Sequence, residues 1–200
     1  MSMYIPKPFE QTDSNEMIRF MKQHPFAVCA STCQRDRISA SHLPFVIDDS
    51  GGELTLISHM ARANPLVQSL QEEREFLVIF SGPHAYISPT LYDSPINVPT
   101  WNYIAVHAYG RGEVIREAEH VKKTLVQMIT QFEPSYMEQW SDLPPDYVER
   151  MSKGIVAFKV RVTRLMGQWK LSQNKSETEQ LRIQSRLLQE QNPLADWMTK

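Results

Sequence analysis

The segment from Ser58 to Pro65 carries residues suited to binding a phosphate. A strand-like run ends here, and a short loop follows that contains Ser58, His59 and Arg62. Asn64 and Pro65 then form a pair typical of a helix start. The first turn of a helix offers free N–H groups, and a planar guanidinium can bind two phosphate oxygens. The segment fits a phosphate monoester site, and a plain helix cap beside a solvated arginine fits it equally well.

Two further segments bring small or polar residues to one side of a strand. The first contains Ser39, Ala40, Ser41 and His42. Its small side chains would let a ligand lie against the strand backbone. A lone histidine in such a setting, like His42, is more often a hydrogen-bonded structural residue than one that binds a ligand. In the second, His84 and Tyr86 are two residues apart, so both side chains fall on one face. That face lines a pocket or meets solvent, and the spacing favours neither.

Aromatic, amide and charged residues occur together in two more segments. Trp101 and Asn102 lie in a long strand-like run, where a flat aromatic suits stacking on a ring, a dimer interface or core packing. Lys170 and Gln173 stand at the end of the last strand-like run. A lysine beside the pyrimidine of a flavin would stabilise the anionic reduced ring. The alternative is that these polar groups only end the strand.

Periodic apolar residues predict the elements that must position these segments. At least six strands are indicated, covering residues 26–32, 38–47, 54–59, 76–88, 101–115 and 156–163. Helix starts are indicated after Asp13 and at Asn64, and a helical stripe spans about 117–132. Ser176 and Glu179 have the spacing of a capping box for a C-terminal helix.

Two regions depart from this regular pattern. Gly110 and Gly112 interrupt a long strand-like run and predict a bulge or bend. Residues 133–147 are rich in proline and acidic residues and predict a surface loop. Many strands with few helical crossovers indicate an antiparallel barrel or sandwich.

Composition excludes several classes of protein. The chain has 200 residues, of which 42% are hydrophobic and 22% charged, which is ordinary for a globular protein. A net charge of −2 gives no global basic field for DNA. Cys29 and Cys33 are too far apart along a strand to form a disulfide. We therefore expect both to be small core residues. We expect a cytoplasmic protein with no membrane span and one domain over residues 1–200, ending in a helix at about 176–190.

Six short motifs, taken in order, resemble one known family. They are Tyr4-Ile5-Pro6-Lys7, Ser41-His42-Leu43-Pro44, Arg62-Ala63-Asn64-Pro65, Gly82-Pro83-His84-Ala85-Tyr86-Ile87-Ser88-Pro89, Pro99-Thr100-Trp101-Asn102-Tyr103 and Lys170-Leu171-Ser172-Gln173-Asn174. This order resembles the PaiB-type FMN-binding negative transcriptional regulators. The resemblance implies a mainly β fold with flanking helices (α+β), an antiparallel Greek-key split β-barrel of the FMN-binding type. It is similar to the pyridoxamine-phosphate oxidase barrel.

The same resemblance implies FMN in a cleft of a homodimer and gives the motif residues roles. The phosphate would be held by Ser58, His59 and Arg62. The ring and ribityl chain would be followed by Ser39, Ala40, Ser41 and His42. The adjacent strand would supply His84 and Tyr86. The partner subunit would supply Trp101, Asn102, Lys170 and Gln173.

The resemblance implies a regulator of sporulation and degradative-enzyme expression. The sequence contains no helix-turn-helix or zinc finger. It also has no basic stripe, so its charge does not support direct nucleic-acid binding. Regulation would then run through a protein partner or a small-molecule pool. The alternative is a flavin-dependent reductase or oxidase of a small substrate. Haem binding through His84, His107 or His120 ranks lower.

Overall fold

The computed structural model describes residues 3–33 and 37–198, and within them the chain forms a mainly antiparallel β-structure. Eight strands occur in these residues: β1 Glu10–Gln11, β2 Phe26–Thr32, β3 Ile38–Pro44, β4 Val46–Asp48, β5 Thr55–Ala61, β6 Glu75–Ile87, β7 Thr100–Val114 and β8 Ile155–Lys170. Seven of them follow the order β3-β2-β6-β7-β8-β5-β4, and β1 pairs with β8. The pairings of β2 with β3 and β6, and of β5 with β4 and β8, are antiparallel.

Helices flank this sheet. Six α-helices occur in the described residues: α1 Ser14–Gln23, α2 Leu66–Gln71, α3 Ala118–Phe132, α4 Tyr136–Asp142, α5 Pro145–Ser152 and α6 Glu177–Gln189. Short 3-10 turns cover Lys7–Phe9, Pro89–Leu91 and Pro193–Trp197. In the described part of the chain, no helix combines the length and apolar character needed to cross a membrane.

The predicted strand over residues 38–47 divides into β3 and β4. Phe45 lies between them, fully buried, and its backbone N–H donates to the carbonyl of Pro25 at 2.8 Å. This bond keeps the chain beside the residue that precedes β2 while the large side chain of Phe45 enters the core. The neighbouring strand β2 spans Phe26–Thr32, as the sequence predicts.

Strand β7 continues through both of the glycines that interrupt its sequence pattern. A Cβ at Gly110 would lie 2.1 Å from the carbonyl oxygen of Arg161, and one at Gly112 would lie 2.5 Å from Leu70. These residues are glycines because neighbouring atoms occupy the space of a side chain. The close approach of β8 to β7 depends on it.

The predicted surface loop over residues 133–147 is wrong, because this segment forms α4 and the first turn of α5. Pro145 stands at the first position of α5, where a proline has a suitable φ and needs no N–H partner. Glu138 and Asp146 lie in the first turns of the two helices, where acidic residues favour the helix dipole. Proline and acidic residues here mark helix starts.

The chain divides into two compact units, and strands β6, β7 and β8 contribute residues to both. The first unit comprises Met1–Phe20, Ser81–His107 and Met166–Lys200, and the second Met21–Phe80 and Ala108–Leu165. One domain over residues 1–200 stays a prediction.

Each unit has an aromatic cluster in its own interior. In the second unit Phe45 contacts Phe80 and Phe158 edge-on, with ring centroids 6.0 and 6.1 Å apart. In the first unit Phe20 packs against Trp169 and Trp197 at 5.3 and 5.4 Å. Such pairs add to the free energy gained from burying the rings.

The first unit also contains the C-terminal helix α6, which begins with the expected capping box. Ser176 Oγ accepts from the N–H of Glu179, whose carboxylate accepts from the N–H of Ser176. At α1, Asp13 caps as predicted by accepting from the N–H of Asn15, and Gln11 takes the place of Glu16 by accepting from the N–H of Asp13.

Both cysteines are free, and only Cys29 is a core residue. Burial raises the pKa of the Cys29 thiol to about 12, so it stays protonated. Cys33 follows β2 and is half-buried, with Sγ 3.3 Å from Ser69 Oγ. The prediction that Cys33 is a core residue is therefore wrong.

We expect Gly110→Ala to lower the free energy of unfolding by about 2–3 kcal/mol, because its Cβ would meet backbone and one strand must move. Gly51→Ala is the matched control: apart from residue 51 and its two chain neighbours, no atom of the described chain lies within 4 Å of its Cβ, and we expect a change within about 1 kcal/mol. Urea unfolding of both variants measures this, and equal midpoints would contradict the packing argument.

Candidate functional site

The loop between β5 and α2 holds Arg62 in a fixed orientation. Its Nε donates to the carbonyl of Lys153 at 2.8 Å and its Nη2 to that of Ile155 at 2.9 Å. The backbone N–H of Arg62 donates to the carbonyl of Gly154 at 2.9 Å. Carbonyls carry no net charge, so the guanidinium keeps its positive charge and has further N–H groups for a ligand. The side chain is exposed, and its position is set before any ligand arrives.

Asn64 joins this loop to strand β3. Its Oδ1 accepts from the N–H of Leu66 at 3.0 Å, which caps α2, and its Nδ2 donates to Ser41 Oγ at 2.9 Å. Sequence reasoning assigned Asn64 only the cap. The contact with Ser41 links residues 23 positions apart, and no local pattern indicates it.

Strand β3 stands at one end of the strand order, so within the described residues one of its edges lacks a neighbouring strand. Ser39 and Ser41 are half-buried and alternate with the exposed Ala40 and His42. The ring of His42 stacks on Phe26 with centroids 6.1 Å apart. The free edge offers backbone N–H and C=O groups, and the exposed face offers a flat aromatic surface.

Ser58 and His59 point to opposite faces of β5. Ser58 is fully buried and donates its hydroxyl to the carbonyl of Pro44 at 2.7 Å. His59 is half-buried toward α3, with Nδ1 3.2 Å from the sulfur of Met128. Burial lowers the pKa of His59, which favours the neutral ring. The structure does not bring these two side chains together, and their phosphate role stays a prediction.

In the first unit, His84, Tyr86 and Trp101 form one exposed aromatic group. The ring of Trp101 lies 5.8 Å from His84 and 6.0 Å from Tyr86, centroid to centroid. Neighbouring residues of α6 complete a cavity of about 400 Å³, and Asn192 Nδ2 donates to the carbonyl of His84 at 3.2 Å. The shared face that the period-two spacing predicts for His84 and Tyr86 is confirmed.

Lys170 lies at the end of β8 with its ammonium held by β7. Its Nζ donates to Thr100 Oγ1 at 2.6 Å. The chain then turns at Ser172, which has the left-handed φ of 65°, a strained conformation for serine. The buried Asn102 donates to Ser172 Oγ at 2.8 Å and supports this turn.

Gln173 is committed to the same turn. Its Oε1 accepts from the N–H of Leu171 at 2.7 Å, and its Nε2 donates to the carbonyl of Trp169. Asn102 and Gln173 therefore shape the backbone that follows Lys170. Thr100 and Ser172 are the supporting residues that sequence reasoning missed, although both lie inside the motifs it selected.

Two histidines named for haem lie elsewhere. His107 is half-buried in β7, where burial lowers its pKa, and His120 is exposed on α3 beside Glu117. A haem role for either stays a prediction.

Comparison with known proteins identifies the family. Residues 3–164 match the profile of a family described as "Putative FMN-binding domain". This chain belongs to that family. It is 36% identical over 200 residues to the Protease synthase and sporulation protein PAI 2 of Bacillus subtilis, covering 99% of this chain and 95% of that protein. The resemblance to PaiB-type proteins is thereby confirmed, and FMN is the cofactor.

Solved structures show the same fold. The FAD and haem binding protein of Mycobacterium smegmatis superposes with a TM-score of 0.63 at 14% identity, over 86% of this chain and 78% of that one. The flavocytochrome Anf3 of Azotobacter vinelandii gives 0.63 at 14% identity, over 80% and 69%. The predicted antiparallel split barrel with flanking helices is confirmed.

The groups present suit FMN. A phosphate monoester needs a fixed cation and N–H donors, and the Arg62 guanidinium supplies the cation together with the N–H groups that the two carbonyls do not occupy. A flavin ring needs flat surfaces and polar edge groups, which the Phe26–His42 pair, the Trp101 group and the β3 edge offer.

We expect stability to fall below about pH 6.5, partly through His59. Its pKa is lowered from 6.5 in the folded state, so the unfolded state binds more protons between the two values. The contribution is full above 6.5 and is lost as the pH falls through the lowered pKa. His24 and His107 act in the same direction.

His59→Gln should therefore reduce the loss of unfolding free energy between about pH 7.5 and about pH 5.5, measured by urea titration at each pH. The parent protein, titrated in parallel under the same conditions, supplies the reference slope. An unchanged slope in His59→Gln would contradict the burial argument.

Proposed function

We propose that this chain is a homodimeric FMN-binding regulatory protein of the PaiB type. The observation that carries the proposal is the fixed, positively charged Arg62 beside the first turn of α2. Two backbone carbonyls hold its fork without neutralising it. A dianionic phosphate that approaches this loop meets a permanent cation. Because the side chain is already ordered, binding costs little further conformational entropy.

The isoalloxazine ring and ribityl chain are proposed to follow β3. Ser39 and Ser41 supply hydroxyls, and the strand edge supplies backbone N–H and C=O groups for the polar edge of the ring. The bond from Asn64 to Ser41 supports this path, because it ties β3 to the proposed phosphate loop. Ala40 and His42, on the other face of the strand, would pack against the ligand or against the partner subunit.

We infer that the second set of motif residues comes from the partner subunit. This set is Trp101, Asn102, Lys170 and Gln173, and we add His84 and Tyr86, which the resemblance assigns to the adjacent strand, because their rings lie against Trp101. Exposed aromatics support a dimer contact, since Trp101 is 53% and Tyr86 is 54% exposed and interfaces are enriched in such residues. Phe26 and Ile38, on β2 and β3, are also exposed and apolar. Lys170 then meets the flavin as a cation positioned by Thr100.

The regulatory role is proposed to be indirect. A net charge of −2 gives the chain no basic field to hold a duplex. The similar protein of Bacillus subtilis is named for protease synthesis and sporulation, which supports a role in expression. A partner protein or a small-molecule pool would carry the signal from the flavin state.

We expect Arg62→Ala to weaken FMN binding by about 1.5–3 kcal/mol, or roughly tenfold to 150-fold, through loss of a charge-assisted phosphate bond. Quenching of flavin fluorescence measures the Kd. Arg150→Ala, on the exposed face of α5, is the matched control and should leave the Kd unchanged.

Arg62→Lys separates charge from geometry, because it keeps the cation and loses the planar fork. We expect a Kd between those of the parent and Arg62→Ala. Unfolding midpoints for each variant exclude a folding defect. An unchanged Kd in well-folded Arg62→Ala would place the phosphate elsewhere.

The homodimer predicts a solution mass of twice the 23.2 kDa of one chain, measured by light scattering after size exclusion. Trp101→Lys should lower the dimer fraction and the FMN affinity together, because the proposed site takes Trp101 from the partner. Ile96→Lys, on an exposed loop of the same unit, is the control. A monomer that binds FMN at parental affinity would overturn the shared site.

A flavin-dependent oxidoreductase is the second candidate, and Lys170 is the observation that favours it. A lysine near the pyrimidine would stabilise the anionic reduced flavin. Two structures of the same fold are named as an FAD and haem binding protein and a flavocytochrome. Steady oxidation of reduced nicotinamide by the FMN-loaded protein would support this function, with Lys170→Met shifting the flavin midpoint potential downward. No turnover with common reductants would count against it.

A further inference from the structure

A second cavity lies in the second unit, between α3, α4, α5 and the adjoining ends of β7 and β8. Its volume is about 920 Å³, close to the upper end of the roughly 300–1,000 Å³ typical of small-molecule sites. Its walls are mostly apolar and include Val121, Val126, Met137, Trp140, Val148 and Ile155. Apart from Arg62, none of the lining residues belongs to the proposed flavin site.

Helices α4 and α5 contribute apolar side chains to this cavity and none to a buried core. Within the described residues neither helix has a buried residue, whereas α6 buries Ile183 and Leu187. Met137 and Trp140 are three residues apart, so both fall on the side of α4 that lines the cavity. An apolar ligand would remove this surface from water, which favours its binding.

The charged residues around the cavity favour an anion. Four basic residues line it, namely Arg62, Arg116, Lys122 and Lys153, against the two carboxylates of Glu119 and Glu149. Lys153 pairs with Glu149 at 2.8 Å, and in the FMN-loaded protein Arg62 faces the proposed flavin phosphate. Arg116 and Lys122 are then left against Glu119, which still favours an anion. A ligand with an apolar body and one anionic head complements this wall.

We propose that this cavity binds an amphipathic carboxylate, with its apolar body between α3, α4 and α5 and its head toward the cations. The hydroxyls of Ser141 and Ser152 donate to the backbone of their own helices, so the walls have few free polar groups to bind a sugar or a peptide. The ligand is therefore defined by apolar area and one negative charge. The chemistry of this cavity differs from that of an FMN site, because FMN needs hydrogen bonds along its whole length.

Isothermal titration of the FMN-loaded full chain with decanoate below its micellar concentration tests this proposal. We expect one decanoate per chain, and at least tenfold weaker binding of decyltrimethylammonium, which has the same chain and the opposite charge. Val148→Trp fills the cavity and should abolish decanoate binding while FMN stays bound. Equal binding of the two probes, or no binding of decanoate, would overturn the proposal.

Lys122→Gln provides a test that does not depend on repacking. It should weaken decanoate binding by about two- to fivefold, as expected for one exposed ion pair. Lys123→Gln is the matched control, because Lys123 is the next residue of α3 and does not line the cavity. Equal losses in both variants would indicate attraction to the general surface charge and would overturn the site. The proposal would also be overturned if the parent did not bind decanoate and Val148→Trp changed the solution mass. That result would indicate that the cavity contacts another protein chain.

Discussion

The antiparallel pairing of β5 with β8 is the constraint on which the rest of the second unit depends. Its register places Ser58 opposite Phe158 and Ala61 opposite Ile155. Because side chains alternate across a strand, a slip of one residue would turn the buried side chain of the strand that slips, Ser58 on β5 or Phe158 on β8, out of the core. The same register brings Arg62 to the carbonyls of Lys153 and Ile155. The proposed phosphate loop and the end of α5 are thus positioned by one backbone ladder.

The ladder also explains two features at its borders. Strand β8 approaches β7 so closely that only glycine fits at position 110. At the other border, the entry into β8 forms a wall of the large cavity, where Ile155 and Arg62 meet the apolar sides of α4 and α5. Arg62 therefore belongs both to the proposed flavin site and to the wall of the proposed carboxylate site. A change in one ligand would be felt at a side chain that the other also contacts.

The proposed cofactor residues fall into two groups with different physical characters. Arg62, Asn64 and Ser41 present polar atoms whose orientation is fixed by bonds to backbone or to each other. The group with Trp101 presents exposed aromatic rings and a lysine tethered by Thr100. Arg62 in the first group suits a charged phosphate and Ser41 suits the ribityl chain and the polar edge of the ring, while the second group suits the flat face of the ring. A flavin shared between two subunits would require both groups.

The sequence by itself determined much of the local structure. It indicated strand β2, the capping box of α6, the common face of His84 and Tyr86 and, through six ordered motifs, the family and its cofactor. The strand, the capping box and the common face depend on short-range spacing, which a sequence displays directly, whereas the family and its cofactor follow from the resemblance of the ordered motifs. Only the tertiary structure decided that Ser58 is buried, that Asn64 reaches Ser41, that Arg62 is held by β8, and that residues 133–147 form helices around a cavity. Each depends on strand pairing or packing between distant segments, and no periodicity within one segment records which distant neighbour it will meet.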